Sequence, residues 1–127
     1  MLCLAALPCP FPEAFIYRSL AVADSPETDL AAHFEASLAF IDAARASGGV
    51  VFVHCFAGRS RAVTVAAAWL IRAQGLSLDQ ALAHIRAVRP SAAPNSGFLK
   101  QLAAFAKQTT SNSAAVCLEA PLGKLRR

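Results

Sequence analysis

The chain reads as an α/β fold: a central, mainly parallel sheet flanked by helices. Three observations predict it. Short apolar runs rich in β-branched and aromatic residues alternate with longer stretches whose apolar residues recur at helical spacing. Breakers fall between these segments: Pro8, Pro10 and Pro12, Gly48 and Gly49, Gly75, and Pro90. The run Val50 to Val53 passes through a short loop containing Gly58 into a helical stretch, which gives a strand, a tight loop and a helix in succession.

In chain order, Met1 to Leu7 and Ala14 to Val22 are apolar runs separated by the three prolines, and they read as two strands joined by a rigid loop. Leu30, Phe34, Leu38 and Ile41 then recur on one helical face, with Asp29 as N-cap and Gly48-Gly49 as the stop. Val50 to Val53 form a short buried run, read as a strand of a covered sheet. From Ala62 to Gln74 the pattern is helical and closes at Gly75. Ser77-Leu78-Asp79-Gln80 has the form of a capping box, and Leu78, Leu82, Ile85 and Val88 share one face before Pro90. A last helix carries Phe98, Leu102 and Phe105, while Trp69 and Phe40 are placed in the core. After Gln108 the chain turns to Thr, Ser, Asn and Ala, so residues 109–127 are read as a flexible tail.

With 127 residues, 56% hydrophobic and 16% charged, the chain fills one core and not two. A net charge of +4 suits a soluble domain, and no basic run interleaved with aromatics points to nucleic acid. Ala62 to Ile71 is too short to span a bilayer, and Leu2 to Leu7 lacks the charged start of a secretion signal. Cys3, Cys9, Cys55 and Cys117 show neither metal-ligand spacing nor a disulfide framework, which fits a reducing, cytoplasmic or nuclear location. Cys3 reads as a small buried hydrophobe, and a reversible bridge from it to Cys55 has little to recommend it.

Residues His54 to Arg61 carry the chemistry. Cys55 follows the strand, and the backbone N–H groups of Phe56, Ala57, Gly58, Arg59, Ser60 and Arg61 lie where a helix N-terminus leaves donors unpaired. Gly58 tolerates a left-handed turn, and the planar fork of Arg61 can hold two oxygens of one phosphate. A cysteine in such a field is a candidate nucleophile. The segment is therefore expected to cradle a phosphate against Cys55. His54 is expected to orient the loop by a hydrogen bond to its backbone, and no metal or other cofactor is called for.

This loop resembles the signature of the cysteine-dependent protein phosphatases, and its surroundings resemble the dual-specificity branch, including plant-type members. The likeness extends to Val22-Ala23-Asp24, Asp29-Leu30, Phe40-Ile41-Asp42, Ala68-Trp69-Leu70-Ile71, Arg89-Pro90 and Pro94-Asn95-Ser96-Gly97-Phe98. It implies a catalytic domain over residues 1–108 that lacks the family's first strands and helix, so one sheet edge is left without cover. It also implies hydrolysis of phosphotyrosine and of phosphoserine or phosphothreonine through a phosphocysteine on Cys55. Asp24 lies where the family carries its general acid; Asp29 is the rival, but capping the helix explains it fully. Asn95 caps the last helix and, by the resemblance, ties that segment to the loop.

At Ala62 many relatives have Ser or Thr, whose hydroxyl assists the departing thiolate; alanine cannot. Thr64 is two positions further along the helix, roughly 200° away, and so faces elsewhere. The implied substrates are phosphorylated proteins, with mitogen-activated protein kinases the family-based guess. A phosphoinositide or phosphoglucan phosphatase and a phosphate-binding pseudophosphatase are the alternatives. The residues do not indicate an oligomeric state.

Overall fold

The computed structural model describes residues 1–4, 11, 13–56 and 58–116, with 110–116 by backbone course alone. Strands β1 (Leu2–Cys3), β2 (Arg18–Ser19) and β3 (Val53–His54) form one parallel sheet in the order β2-β1-β3. Leu2 pairs with Arg18 and Val53, and Cys3 with Ser19 and His54. The ladder extends past these short spans, with Leu2 N–H on Phe52 O and Leu4 N–H on His54 O, both at 2.9 Å. Every connection crosses over, as parallel strands require.

The strands are shorter than their apolar runs. Residues 5–7 of the first run and Pro8, Cys9 and Pro10 of the loop after it lie outside the described residues, as do Pro12 and Cys117. At the third run the expectation fails in detail: β3 is Val53–His54, and Val50 and Phe52 are 95% and 59% exposed. The run is apolar but covered on one face only. Among the described residues β3 pairs only with β1, and along the run Val51 and Val53 pack against the core while Val50 and Phe52 face outward.

A single turn of 3-10 helix, Ala31–His33, opens helix α1 (Phe34–Ala46). Asp29 Oδ1 accepts from Ala32 N–H at 3.2 Å, so Asp29 does cap this entry. Helix α2 (Arg61–Gln74) ends at Gly75, whose φ of +69° is the left-handed stop that glycine supplies cheaply. Helix α3 (Leu78–Val88) opens on a complete capping box: Gln80 N–H to Ser77 Oγ at 3.1 Å and Ser77 N–H to Gln80 Oε1 at 2.9 Å. Of its expected apolar face Leu82 is buried, but Val88 is 84% exposed.

Helix α4 (Ser96–Val116) runs well past Gln108. The polar residues after 108 include no proline or glycine up to Val116, so nothing interrupts a helix already nucleated upstream, and the expected loose tail is helical over that span.

The core lies between the sheet and the helices. Helix α2 packs against α1, α3, α4 and β3, burying Val63, Val65, Ala67, Ala68 and Ile71. Phe34, Leu38, Phe98 and Leu102 are fully buried beside it, each worth roughly 1.5–3 kcal/mol of transfer free energy. Phe34 and Phe105 meet edge to face at 5.1 Å. Trp69 and Phe40 are only partly buried; Trp69 Nε1–H donates to Asp42 Oδ1 at 2.9 Å. At the surface, Arg72 holds Glu35 in a fork with contacts of 3.0 and 2.5 Å.

Candidate active site

Cys55 sits directly after β3 and is 7% exposed. Gly58, at φ +67°, turns the chain so that its N–H donates to Cys55 Sγ at 3.3 Å. Ser60 then stands at the N-cap of α2, yet its side chain makes no capping bond. Its Oγ instead accepts from Asn95 N–H at 3.0 Å, and its carbonyl accepts from Thr64 N–H at 2.9 Å and from Thr64 Oγ1 at 2.7 Å. No side chain of the helix cap competes for the first N–H groups of α2, which is the condition for an anion to bind there.

Arg61 is the first residue of α2, and its Nη1 donates to Val22 O at 3.0 Å. Its Nε is buried and has no hydrogen-bond partner. A buried guanidinium donor without an acceptor is costly, and an oxyanion in the loop would satisfy it. The Val22 contact also joins Arg61 to the loop bearing Asp24. Asp24 Oδ1 accepts from Asn95 Nδ2 at 2.9 Å, while Asn95 Oδ1 accepts from Phe98 N–H at 2.8 Å and so caps α4. One asparagine thus links the exposed carboxylate of Asp24, the loop at Ser60 and the start of α4.

The outer side of the loop is tied to the segment after α3. Arg89 Nε donates to Gly58 O at 3.0 Å, and Ala93 N–H donates to Arg59 O at 2.6 Å. A cavity of about 470 Å³ has Cys55 in its lining, together with Phe52, Phe56, Gly58, Ala62 and Arg89. Phe56 is 79% exposed and the Arg59 side chain is exposed, so neither closes over Cys55.

The sequence-expected residues therefore fall into two linked groups. Cys55, Gly58, Ser60 and Arg61 form the loop, and Asp24 and Asn95 meet it from the side; Ala57 lies outside the described residues. His54 stacks on Phe52, ring centroids 5.2 Å apart, and its Nε2 is buried without a partner. It makes no hydrogen bond to a described loop residue. Asp29 turns to the Ala31–His33 turn and away from the loop chemistry. Arg89 was legible only as half of an Arg-Pro pair, since nothing in its spacing reveals a bond to Gly58. Among the described residues no group of three or more His, Cys, Asp or Glu is placed to hold a metal ion, and no helix is long and apolar enough to cross a membrane.

An α/β layer that sets a thiol at the mouth of a helix, with an arginine rooted in the same turn, defines a class of proteins that receive a tetrahedral anion against a cysteine. Residues 11–108 match the family described as "Dual specificity phosphatase, catalytic domain", and the chain belongs to that family, within the protein-tyrosine phosphatase superfamily. It is similar to "Dual specificity protein phosphatase 1" of Arabidopsis thaliana, 45% identical over 91 residues, which cover 72% of this chain and 46% of that protein. It is also similar to "Dual specificity protein phosphatase 1B" of the same plant, 43% identical over 108 residues, covering 85% of this chain and 65% of the relative. The chain thus spans about half to two thirds of these relatives' length. The crystal structure of human DUSP28 superposes with a TM-score of 0.80 at 36% identity, over 86% of this chain and 76% of that one.

Proposed function

We propose that the protein hydrolyses phosphotyrosine and phosphoserine or phosphothreonine in phosphorylated proteins, through a phosphocysteine on Cys55. The observation that carries this reading is the buried, unpartnered Nε of Arg61, one turn of loop away from a thiol that already accepts the Gly58 N–H. An oxyanion held against Cys55 would satisfy that Arg61 donor together with the loop N–H groups.

In the first step the Cys55 thiolate attacks phosphorus. An S–P bond forms, the P–O bond to the substrate breaks, and Asp24 delivers a proton to the departing oxygen. Arg61 and the loop N–H groups hold the equatorial oxygens as charge spreads over them. In the second step Asp24 takes a proton from water, whose oxygen attacks phosphorus; the S–P bond breaks and phosphate leaves with the thiolate restored. Asn95 holds the Asp24 carboxylate by one oxygen, which supports its role in both steps. His54 backs the loop through its packing on Phe52.

Turnover of a phosphotyrosyl peptide, a phosphoseryl peptide, a phosphoinositide and a phosphoglucan, measured in parallel, tests this. Both peptides should be hydrolysed, and Cys55→Ser should abolish turnover while sparing tungstate binding. Activity confined to the lipid or the glucan would move the substrate class. Binding without turnover of any of the four would make the protein a phosphate-binding pseudophosphatase.

A further inference from the structure

We infer that residues 89–95 form a strap that shapes the anion loop, and that Arg89 is the side-chain clamp of that strap, a positioning residue for the reaction proposed above. The inference rests on that reading for its kinetic arm only. Three consecutive loop residues are tied to it in order: Gly58 O to Arg89 Nε at 3.0 Å, Arg59 O to Ala93 N–H at 2.6 Å, and Ser60 Oγ to Asn95 N–H at 3.0 Å.

Two of these bonds draw backbone carbonyls outward. A loop whose carbonyls are held on one side presents its N–H groups on the other, and Gly58 does so, with its N–H on Cys55 Sγ. Converging N–H dipoles repel one another until an anion arrives, so an empty cradle needs an outside hold to keep its shape. The strap is itself braced. Ala92 N–H donates to Arg89 O at 3.0 Å, Arg86 Nε donates to Ala92 O at 3.0 Å, and the Ala92 side chain is buried.

At Gly58 the fit is steric as well as polar. A Cβ placed there would stand 2.9 Å from Arg89 Nη2, 3.1 Å from Cζ and 3.2 Å from Nε. The guanidinium occupies the space that a side chain would take; as the end of a flexible chain it can yield, so a Cβ at Gly58 would push Arg89 aside, while the φ of Gly58 is the firmer demand for glycine. Lysine cannot replace this contact. It carries the charge but lacks the planar Nε–H that meets the carbonyl.

The experiment compares Arg89→Lys and Arg89→Met in the full chain. Melting temperature, the Kd for sodium tungstate, and kcat and KM on an aryl phosphate are measured at low and high salt. If Arg89 positions the loop, both variants should lose roughly tenfold in tungstate affinity and in kcat, with Lys little better than Met and with melting temperature nearly unmoved. If Arg89→Lys matches the wild type and the loss in Arg89→Met vanishes at high salt, the residue supplies charge alone and the proposal is overturned; wild-type behaviour of both variants overturns it too. Should Arg89→Met fail to fold, the Lys variant decides. A cycle of Gly58→Ala, Arg89→Ala and the double variant adds a second readout, since relief of the steric contact should make the double loss smaller than the product of the singles. If the wild type turns over no phosphate ester, the functional reading fails, and tungstate affinity still judges the strap.

Discussion

Replacing Gly97 by alanine would drive a methyl group into the backbone of Pro26. The new Cβ would lie 2.0 Å from Pro26 O, 2.5 Å from its Cα and 2.6 Å from its carbonyl carbon, where ordinary contact begins at 3.4 Å. The two backbones must separate by about 1.4 Å to accept it. Neither is free to move alone. Asp24 is bonded to Asn95, and Gln101 grips the same loop further on, through Thr28 O at 2.8 Å and Ala31 N–H at 2.7 Å. The displacement therefore falls on the Asp24–Asn95 contact. Overpacking of this kind costs about 1–3 kcal/mol, offset by up to about 1 kcal/mol from the better helix propensity of alanine. A net loss near the middle of that range, about 1–2 kcal/mol, lowers the melting temperature by several degrees in a domain of this size.

If Asp24 is the proton donor as proposed, misplacing it by about 1 Å costs on the order of a hundredfold in rate. That loss should be seen with poor leaving groups and be far smaller with activated aryl phosphates, which depart with little protonation. Steady-state kinetics on the two kinds of ester, with a parallel melt, measures both effects. Gly75→Ala is the control: it meets nothing within 4 Å, so it should show the strain of its φ in the melt but not in the rate. A Gly97→Ala protein with wild-type kcat on the poor leaving group would refute the chain of reasoning from Pro26 to Asp24.

Asp24→Asn should slow poor leaving groups much more than activated ones, whereas Asp29→Asn should be nearly neutral, because an amide oxygen can also accept the Ala32 N–H; equal losses would reverse the assignment. Ala62 lines the cavity beside Cys55, and the Thr64 hydroxyl is already spent on Ser60 O, so no side-chain hydroxyl from either position assists the departing thiolate. Ala62→Ser should therefore speed phosphocysteine hydrolysis by roughly tenfold and shrink the burst in rapid-quench traces; an absent burst, with turnover unchanged by the substitution, would show that another group assists. The hydrogen bond from Arg72 and its charge hold the Glu35 carboxyl below the usual carboxylate range. The pair should thus stabilise the fold above that range and lose its contribution as pH falls through the lowered value. Both partners are solvated, so Glu35→Gln should cost less than about 1 kcal/mol at pH 7 and flatten the acid limb of the stability curve; a larger loss would show that the pair is not merely a surface contact.

Local signals carried much of this structure into the sequence. Ser77 and Gln80 announce a helix start three residues apart, Gly75 announces a stop, and both act within one turn of the chain. The loop was legible for the same reason, since Cys55, Gly58 and Arg61 work within one short segment. Contacts between distant segments were not. The Asp24–Asn95 bond joins residues 71 positions apart, and the Arg89–Gly58 and Arg61–Val22 bonds depend on how α3 and the Asp24 loop are carried to the site. Val50 to Val53 misled in another way: an apolar run signals a strand, but composition does not say whether a neighbour covers it.

Helix α2 touches each of the other helices and also β3, and its first residue is Arg61. An arginine mounted on the end of such an axle inherits the alignment of everything that clasps the shaft. Trimming Val65 or Ile71, whose side chains never approach a phosphate, would let the shaft tilt and swing the guanidinium at its tip. In this molecule, loss of catalytic rate after a substitution is therefore weak evidence that the altered residue belongs to the site, and kinetic defects should be found along the whole buried length of one helix.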